Sequence, residues 1–253
     1  MRKLLCALLL LPLVLCADSL RITDSSRYGS SAVRNAALEY SLTNSKNIRI
    51  DRMAGSSAAR LLAGKMVDIA IFDEREIPQE LSGKRRIMLG SEALVLCVNA
   101  KNPIRGISDK DAREIFSSRR PRWSQYGGIP RDIHRINLKN SAANSGLDRE
   151  IFNITASLEV LGVNDSKSAA FIIGSDTDAL GFIHPVPKSE NIKFLEINEV
   201  APSPQNIGTG KYPLSRRYAA IVVKESPLAD DFLKYLVPKL NELIRNDQWL
   251  PCR

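Results

Sequence analysis

The stretch that decides the fold is AGSSAARLLAGKMVDIAIFDE, which runs from Ala54 to Glu74. A Gly-Ser-Ser turn opens a helix-like run that Gly64 ends, because glycine readily adopts the left-handed conformation that closes a helix. An apolar, strand-like run then extends from Val67 to Phe72. Asp73 follows it directly, and ligands of α/β sheets bind at the carboxyl ends of strands. Asp73 is therefore the first candidate site residue, and Asp68, inside the strand, is the weaker one.

The rest of the chain repeats this alternation of strands and helices. LRIT, NIRIDRM, DIAIF, IHRINLKN, ALGFIHP, NIKFLEIN and YAAIVVK read as strands. SSAVRNAALEYSL, SDKDAREIF and SGLDREIF read as helices, and a long helix with Pro238 inside it closes the chain. Such alternation predicts an α/β protein whose sheets are mostly parallel and flanked by helices.

The first residues resemble an export signal. Arg2 and Lys3 precede an apolar run that is short for a membrane span, and Ala17 offers a small residue for cleavage. The sequence therefore predicts a signal peptide over residues 1–17 and a periplasmic or secreted protein. Cys16, in LVLC, leaves lipid anchoring open as the alternative.

The net charge and the cysteine content limit which partners and which disulfide the chain can have. The 36 basic and 28 acidic residues give a net charge of +8. Removal of Arg2 and Lys3 with the signal leaves 34 against 28, or +6. We expect no nucleic-acid partner, because an exported chain seldom meets one and no basic-aromatic repeat is present. Beyond the signal, Cys97 and Cys252 either form a disulfide, which export permits, or remain two separate thiols.

Three predicted helix starts carry hydroxyl or glycine residues. They are Ser25–Ser26, Ser56–Ser57 and Ser145–Gly146. A helix N-terminus presents unpaired backbone N–H groups and the positive end of the helix dipole, so it suits an anion. One such serine is most often only a cap. Three of them in one α/β fold indicate an oxyanion site.

Four stretches, in this order, resemble the periplasmic phosphate-binding proteins that feed ABC importers. They are GSSAARLLAGKMVDIAIFDE, ALVLCVNAKNPIRGISDKDAREIFSSRRPRWSQYGG, NSGLDREIF and NIGTGKYPLSRRYAAIVVK. The resemblance implies the two-lobed periplasmic binding fold of type II, with residues 18–98 and 201–253 in the first lobe and 99–200 in the second. It also implies hinge segments near Val98–Ala100 and after Asn198.

The resemblance also implies a ligand and partners. Phosphate or a related oxyanion would lie between the lobes, and Asp73 would accept the proton of hydrogenphosphate. An ABC permease in the inner membrane becomes the candidate partner. We expect a monomer without cofactor, metal or catalytic residues.

The chain departs from the family pattern in the second lobe. The family has an arginine shortly before Ser-Gly-Thr, whereas this chain has Ser141 there, and Lys139 is the nearest cation. Leu147 replaces the threonine. Arg27 could supply charge from the first lobe, although a rearranged site, another oxyanion or a weakened site all remain open.

Two other classes remain as alternatives to a binding protein. An exported α/β hydrolase-like enzyme would need a nucleophile with a base, but the chain lacks G-x-S-x-G, S-x-x-K and H-E-x-x-H, and its two histidines lie far apart in sequence. A scaffold that kept the fold and lost its ligand would fit the altered NSGLD loop. Trp123 and Trp249 read as packing residues and not as platforms for a sugar.

Overall fold

The computed structural model describes most of the chain after its start. The described residues are 19–25, 30–53, 57, 60, 64, 66–138, 160–187, 189–247 and 249–250, with the backbone alone for 30–31 and 241–250. The strands are β1 (Ser19–Asp24), β2 (Asn47–Arg52), β3 (Ile69–Asp73), β4 (Arg85–Ala93), β5 (Val95–Asn99), β6 (Gly106–Ile107), β7 (His134–Leu138), β8 (Val160–Val163), β9 (Ala179–Ile183), β10 (Ile192–Phe194), β11 (Glu196–Ile197), β12 (Ser215–Val222) and β13 (Trp249–Leu250). The helices are α1 (Ser30–Asn44), α2 (Asp109–Ser117), α3 (Ser166–Ser175), α4 (Pro204–Gly208) and α5 (Pro227–Asp247).

The first sheet has six strands in the order β13-β4-β12-β3-β1-β2. β1 pairs in parallel with both β2 and β3. β12 runs antiparallel between β3 and β4. The carboxyl ends of β1 and β3 and the beginning of β12 therefore lie at the same edge of this sheet.

The second sheet has five strands in the order β10-β5-β9-β7-β8. β7 is parallel to β8 and β9, whereas β5 is antiparallel to β9 and β10. The predicted α/β class with two sheets flanked by helices is confirmed. The sheets are mixed and not mostly parallel, because β5 and β12 run against the parallel strands beside them.

The chain changes sheet at Leu94. β4 ends at Ala93 in the first sheet and β5 begins at Val95 in the second. The change therefore comes before the hinge segment predicted at Val98–Ala100, and β5 belongs with the second sheet. The lobe boundaries themselves stay a prediction.

α2 begins where the sequence SDKDAREIF predicts a helix. Ser108 caps α2 by accepting the backbone N–H of Asp111, whose carboxylate accepts the N–H of Ser108 in return. α1 packs on α5 through an edge-to-face contact of Tyr40 and Phe232, with ring centroids 5.4 Å apart. Pro238 lies inside α5. No helix in the described ranges combines the length and apolar character needed to cross a bilayer.

Trp123, one of the two predicted packing residues, and Cys97 are both buried. The ring of Trp123 is buried, and its indole N–H donates to the carbonyl of Asp178 at 3.1 Å. Gly127, with φ of 84°, closes the turn that follows this tryptophan. Cys97 is a free thiol buried in β5, and burial raises its pKa to about 12. Cys252 and the side chain of Trp249 lie outside the described residues.

Candidate functional site

The candidate site lies at the edge of the first sheet where β1 and β3 end. Asp24 pairs in register with Ile71, and the backbone N–H of Ser25 donates to the Ile71 carbonyl at 2.9 Å. Asp73, two residues further along β3, lies opposite Tyr218 of β12. The apolar strands thus bring several polar side chains to one edge, which is the position where α/β sheets bind ligands.

Asp73 is a buried carboxylate with a fixed orientation. Its side chain is 12% exposed, and one oxygen accepts the backbone N–H of Arg75 at 3.0 Å. The other oxygen lies 3.1 Å from Nε of Arg216, whose side chain is 7% exposed. A carboxylate held by a backbone amide and a guanidinium has both oxygens oriented, and each oxygen has a second lone pair for a further donor.

Arg216 and Arg75 meet at one carbonyl. Arg75 donates from Nη2 to the Ser215 carbonyl at 2.5 Å, and Arg216 donates from Nη1 to the same oxygen at 3.3 Å. The guanidinium groups of Arg75 and Arg216 therefore share one acceptor at this edge, where the Asp24 and Asp73 carboxylates are also buried.

Arg216 is not among the site residues predicted from the sequence. The sequence SRRYAAIVV contains a signal for it. Side chains of a strand alternate between its two faces, so one of the two arginines must share a face with Tyr218. Arg217 points the other way, and its Nη1 lies 3.0 Å from Glu74. Only the fold, which places Asp73 beside β12, shows that the buried arginine has a carboxylate partner.

A second buried polar group lies on the same face. Glu92 of β4 lies opposite Arg216 in register, is 1% exposed and accepts the Tyr218 hydroxyl at 3.2 Å. His184, which follows the last strand residue of β9, approaches the other oxygen of Glu92 to 4.0 Å. Burial lowers the pKa of His184 to about 4, so the ring is neutral near pH 7. This cluster joins residues from both sheets.

Two of the predicted serines can be placed. Ser25 is buried, and its hydroxyl donates to the Ile71 carbonyl at 2.8 Å. In this arrangement both the hydroxyl and the N–H of Ser25 tie β1 to β3, so an anion would have to compete for them. Ser57 is exposed. The remaining predicted site residues lie outside the described residues: Ser26, Arg27, Ser56, Lys139, Ser145 and Gly146.

Asp68, the weaker candidate, has a structural role at the opposite end of β3. Its carboxylate accepts the backbone N–H of Arg21 at 2.8 Å and lies 3.6 Å from Nε of the same residue. Its carbonyl accepts the backbone N–H of Val223 at 2.9 Å. Asp68 therefore connects three strands at the edge away from the candidate site.

Comparisons with known proteins agree with this architecture. The family described as PBP superfamily domain matches residues 18–239. The phosphate-binding protein PstS of Bacillus subtilis (strain 168) is 23% identical over 219 residues, which cover 82% of this chain and 73% of that protein.

Two solved structures share the fold. PstS from Borrelia burgdorferi has a TM-score of 0.67 at 18% identity and covers 93% of this chain and 99% of its own. An ABC-type phosphate transport receptor from Vibrio cholerae has a TM-score of 0.64 at 20% identity and covers 91% and 99%. At these identities the likeness establishes the fold.

Proposed function

The chain belongs to the PBP superfamily, and we propose that it is an exported solute-binding protein that captures an inorganic oxyanion, with phosphate as the first candidate, for ABC import. The observation that carries the proposal is the Asp73–Arg216 pair at the carboxyl edge of the first sheet, with 3.1 Å between Nε and Oδ2. The relatives named phosphate-binding protein or phosphate transport receptor support the same ligand class.

The chemistry of Asp73 suits a protonated oxyanion. A carboxylate accepts hydrogen bonds and cannot donate them, so hydrogenphosphate can offer its proton to Asp73. Sulfate has no proton near neutral pH and would leave a buried acceptor facing negative charge. One such mismatch is worth about 1–3 kcal/mol, which is enough to select between the two anions.

The remaining contacts come from the loops that follow the strands. We propose that the first lobe contributes backbone amides, hydroxyls and a charge, and that the second lobe closes over the anion from residues 99–200. The proposed groups are Ser25, Ser26, Arg27, Ser56 and Ser57 from the first lobe and Lys139, Ser145 and Gly146 from the second. An ABC permease would receive the anion from the closed monomer in the periplasm.

A thermal-shift screen with phosphate, arsenate, vanadate and sulfate tests the function, run beside a phosphatase assay with the same protein. Saturating phosphate should raise the melting temperature by on the order of 5 °C without turnover, because a ligand that binds only the folded state stabilises it. Turnover would indicate the hydrolase-like alternative. No shift with any of the anions would indicate a scaffold that has lost its ligand.

Lys139→Ala separates charge from proton recognition. The lysine is a point charge, so its removal should weaken phosphate and sulfate binding by a similar factor, on the order of threefold to tenfold. Calorimetry with both anions at one pH and ionic strength measures this, since salt screens the charge independently. A change in only one of the two affinities would contradict the assigned role.

A further inference from the structure

The buried arginine beside Asp73 has a neighbour that provides a natural comparison. Arg216 is 6% exposed and faces Asp73, whereas the adjacent Arg217 has a side chain that is 30% exposed and faces Glu74. Glu74 also contacts Arg86, with 3.3 Å between the charged atoms. The two arginines are adjacent on β12, and their side chains point to opposite faces of the strand. Arg216 therefore pairs with Asp73 and Arg217 with Glu74.

Burial gives the two ion pairs different significance. An exposed pair contributes little, because water and salt screen both charges. A buried carboxylate is costly unless a partner neutralises it, and its partner also fixes its orientation. Arg216 does both for Asp73, since its Nε contacts one oxygen while the Arg75 backbone N–H holds the other.

This geometry matters for an anion site. A carboxylate at such a site repels every anion, and a hydrogen bond from the anion's own proton offsets this repulsion. A guanidinium that neutralises the carboxylate lowers the repulsion without removing the acceptor. The other charged or titratable groups near Asp73 include Arg75 and Glu74 on its own segment, Asp24 on β1, Tyr218 on β12 and Glu92 on β4.

We propose that Arg216 is a positioning and specificity residue for oxyanion recognition, acting through Asp73. It holds the Asp73 carboxylate as an oriented acceptor, to which an oxyanion that carries a proton can donate a hydrogen bond and a fully ionised one cannot. This inference rests on the proposed oxyanion binding and adds the residue that makes the acidic side chain selective.

Calorimetry with phosphate and with sulfate on wild type, Arg216→Gln, Arg216→Lys and Arg217→Gln tests the inference. Arg216→Gln should lower the phosphate-to-sulfate affinity ratio by on the order of tenfold, because phosphate loses an oriented acceptor that sulfate never used. Arg216→Lys keeps the charge and lacks the planar fork, so it should restore the ratio only in part. Arg217→Gln is the matched control and should leave the ratio within about twofold of wild type.

A double variant keeps the inference testable if Arg216→Gln folds poorly, because Asp73→Asn/Arg216→Gln leaves neither charge unpaired. If Arg216 acts through Asp73, replacing it in the Asp73→Asn background should change the ratio by less than about twofold. Equal effects of Arg216→Gln in both backgrounds, or an unchanged ratio in a folded Arg216→Gln protein, would overturn the inference. Wild type that binds neither anion would instead overturn the proposed function.

Discussion

The two ends of β3 carry the same side chain in different surroundings. Asp68 directly precedes the first residue of β3 and connects backbone groups of neighbouring strands. Its carboxylate accepts the backbone N–H of Arg21 at 2.8 Å. Asp73 ends the strand and faces the buried guanidinium of Arg216 at 3.1 Å. One carboxylate holds strands together, whereas the other lies at the carboxyl edge of the sheet beside a buried arginine. The two acids are similarly buried but have different contacts, so burial alone does not assign their roles.

The largest effect on stability is expected at the Asp68 end. Asp68→Ala leaves the Arg21 N–H without its acceptor and removes the charge partner of the Arg21 guanidinium, so it should cost about 3 kcal/mol of unfolding free energy. Urea unfolding measures this cost. The phosphate-to-sulfate ratio of the folded variant should not change. A stability close to wild type would mean that Asp68 is dispensable and that the comparison fails at this end.

The next effect concerns the buried cluster on the Asp73 side. The pKa of His184 is lowered from 6.5 to about 4 because the ring is buried. The unfolded chain therefore takes up a proton on this residue before the folded protein does, so stability is complete above about pH 6.5 and is lost as pH falls towards 4.

A comparison of wild type with His184→Gln isolates this effect. Between about pH 8 and pH 5, wild type should lose about 2 kcal/mol more stability than His184→Gln, which cannot titrate. Urea unfolding at both pH values measures the difference. An equal loss in the two proteins would show that His184 is already accessible to protons in the folded state.

The smallest effect is expected in an exposed ion-pair group near the Asp68 end. Arg85 contacts Glu225 at 2.8 Å and Asp230 at 2.5 Å, and its side chain is 43% exposed. The pKa of Arg85 is raised by its hydrogen bond to Asp230 first and by that to Glu225 second. Solvent screens these charges, so Arg85→Ala should lower the melting temperature by no more than about 2 °C. A larger loss would show that these ion pairs stabilise the protein more than their exposure to solvent suggests.

The sequence predicted the strands well because their residues are unambiguous. DIAIF has apolar residues on both faces, as a central strand requires. The start of α2 is equally clear, because Ser108 and Asp111 form its capping box. The direction of β5 and β12 was not predictable in this way, because a strand that returns from the other sheet has the same composition whichever way it runs.

The candidate site was predicted only in part, for a related reason. Asp73 stands out because it interrupts an apolar run at the end of a strand. Arg216 does not stand out, since in SRRYAAIVV two neighbouring arginines are equivalent until the register with β3 decides which of them is buried. The partner of a buried charge lies far away in sequence, and only the fold brings the two together.

The most direct test of the account compares Asp73→Asn with Asp68→Asn. Calorimetry at fixed pH and ionic strength gives the phosphate-to-sulfate affinity ratio of each variant and of wild type. We predict that Asp73→Asn lowers the ratio by on the order of tenfold, since asparagine can donate to sulfate, and that Asp68→Asn leaves it unchanged. An unchanged ratio in Asp73→Asn would contradict the account and make Asp73, like Asp68, a structural residue.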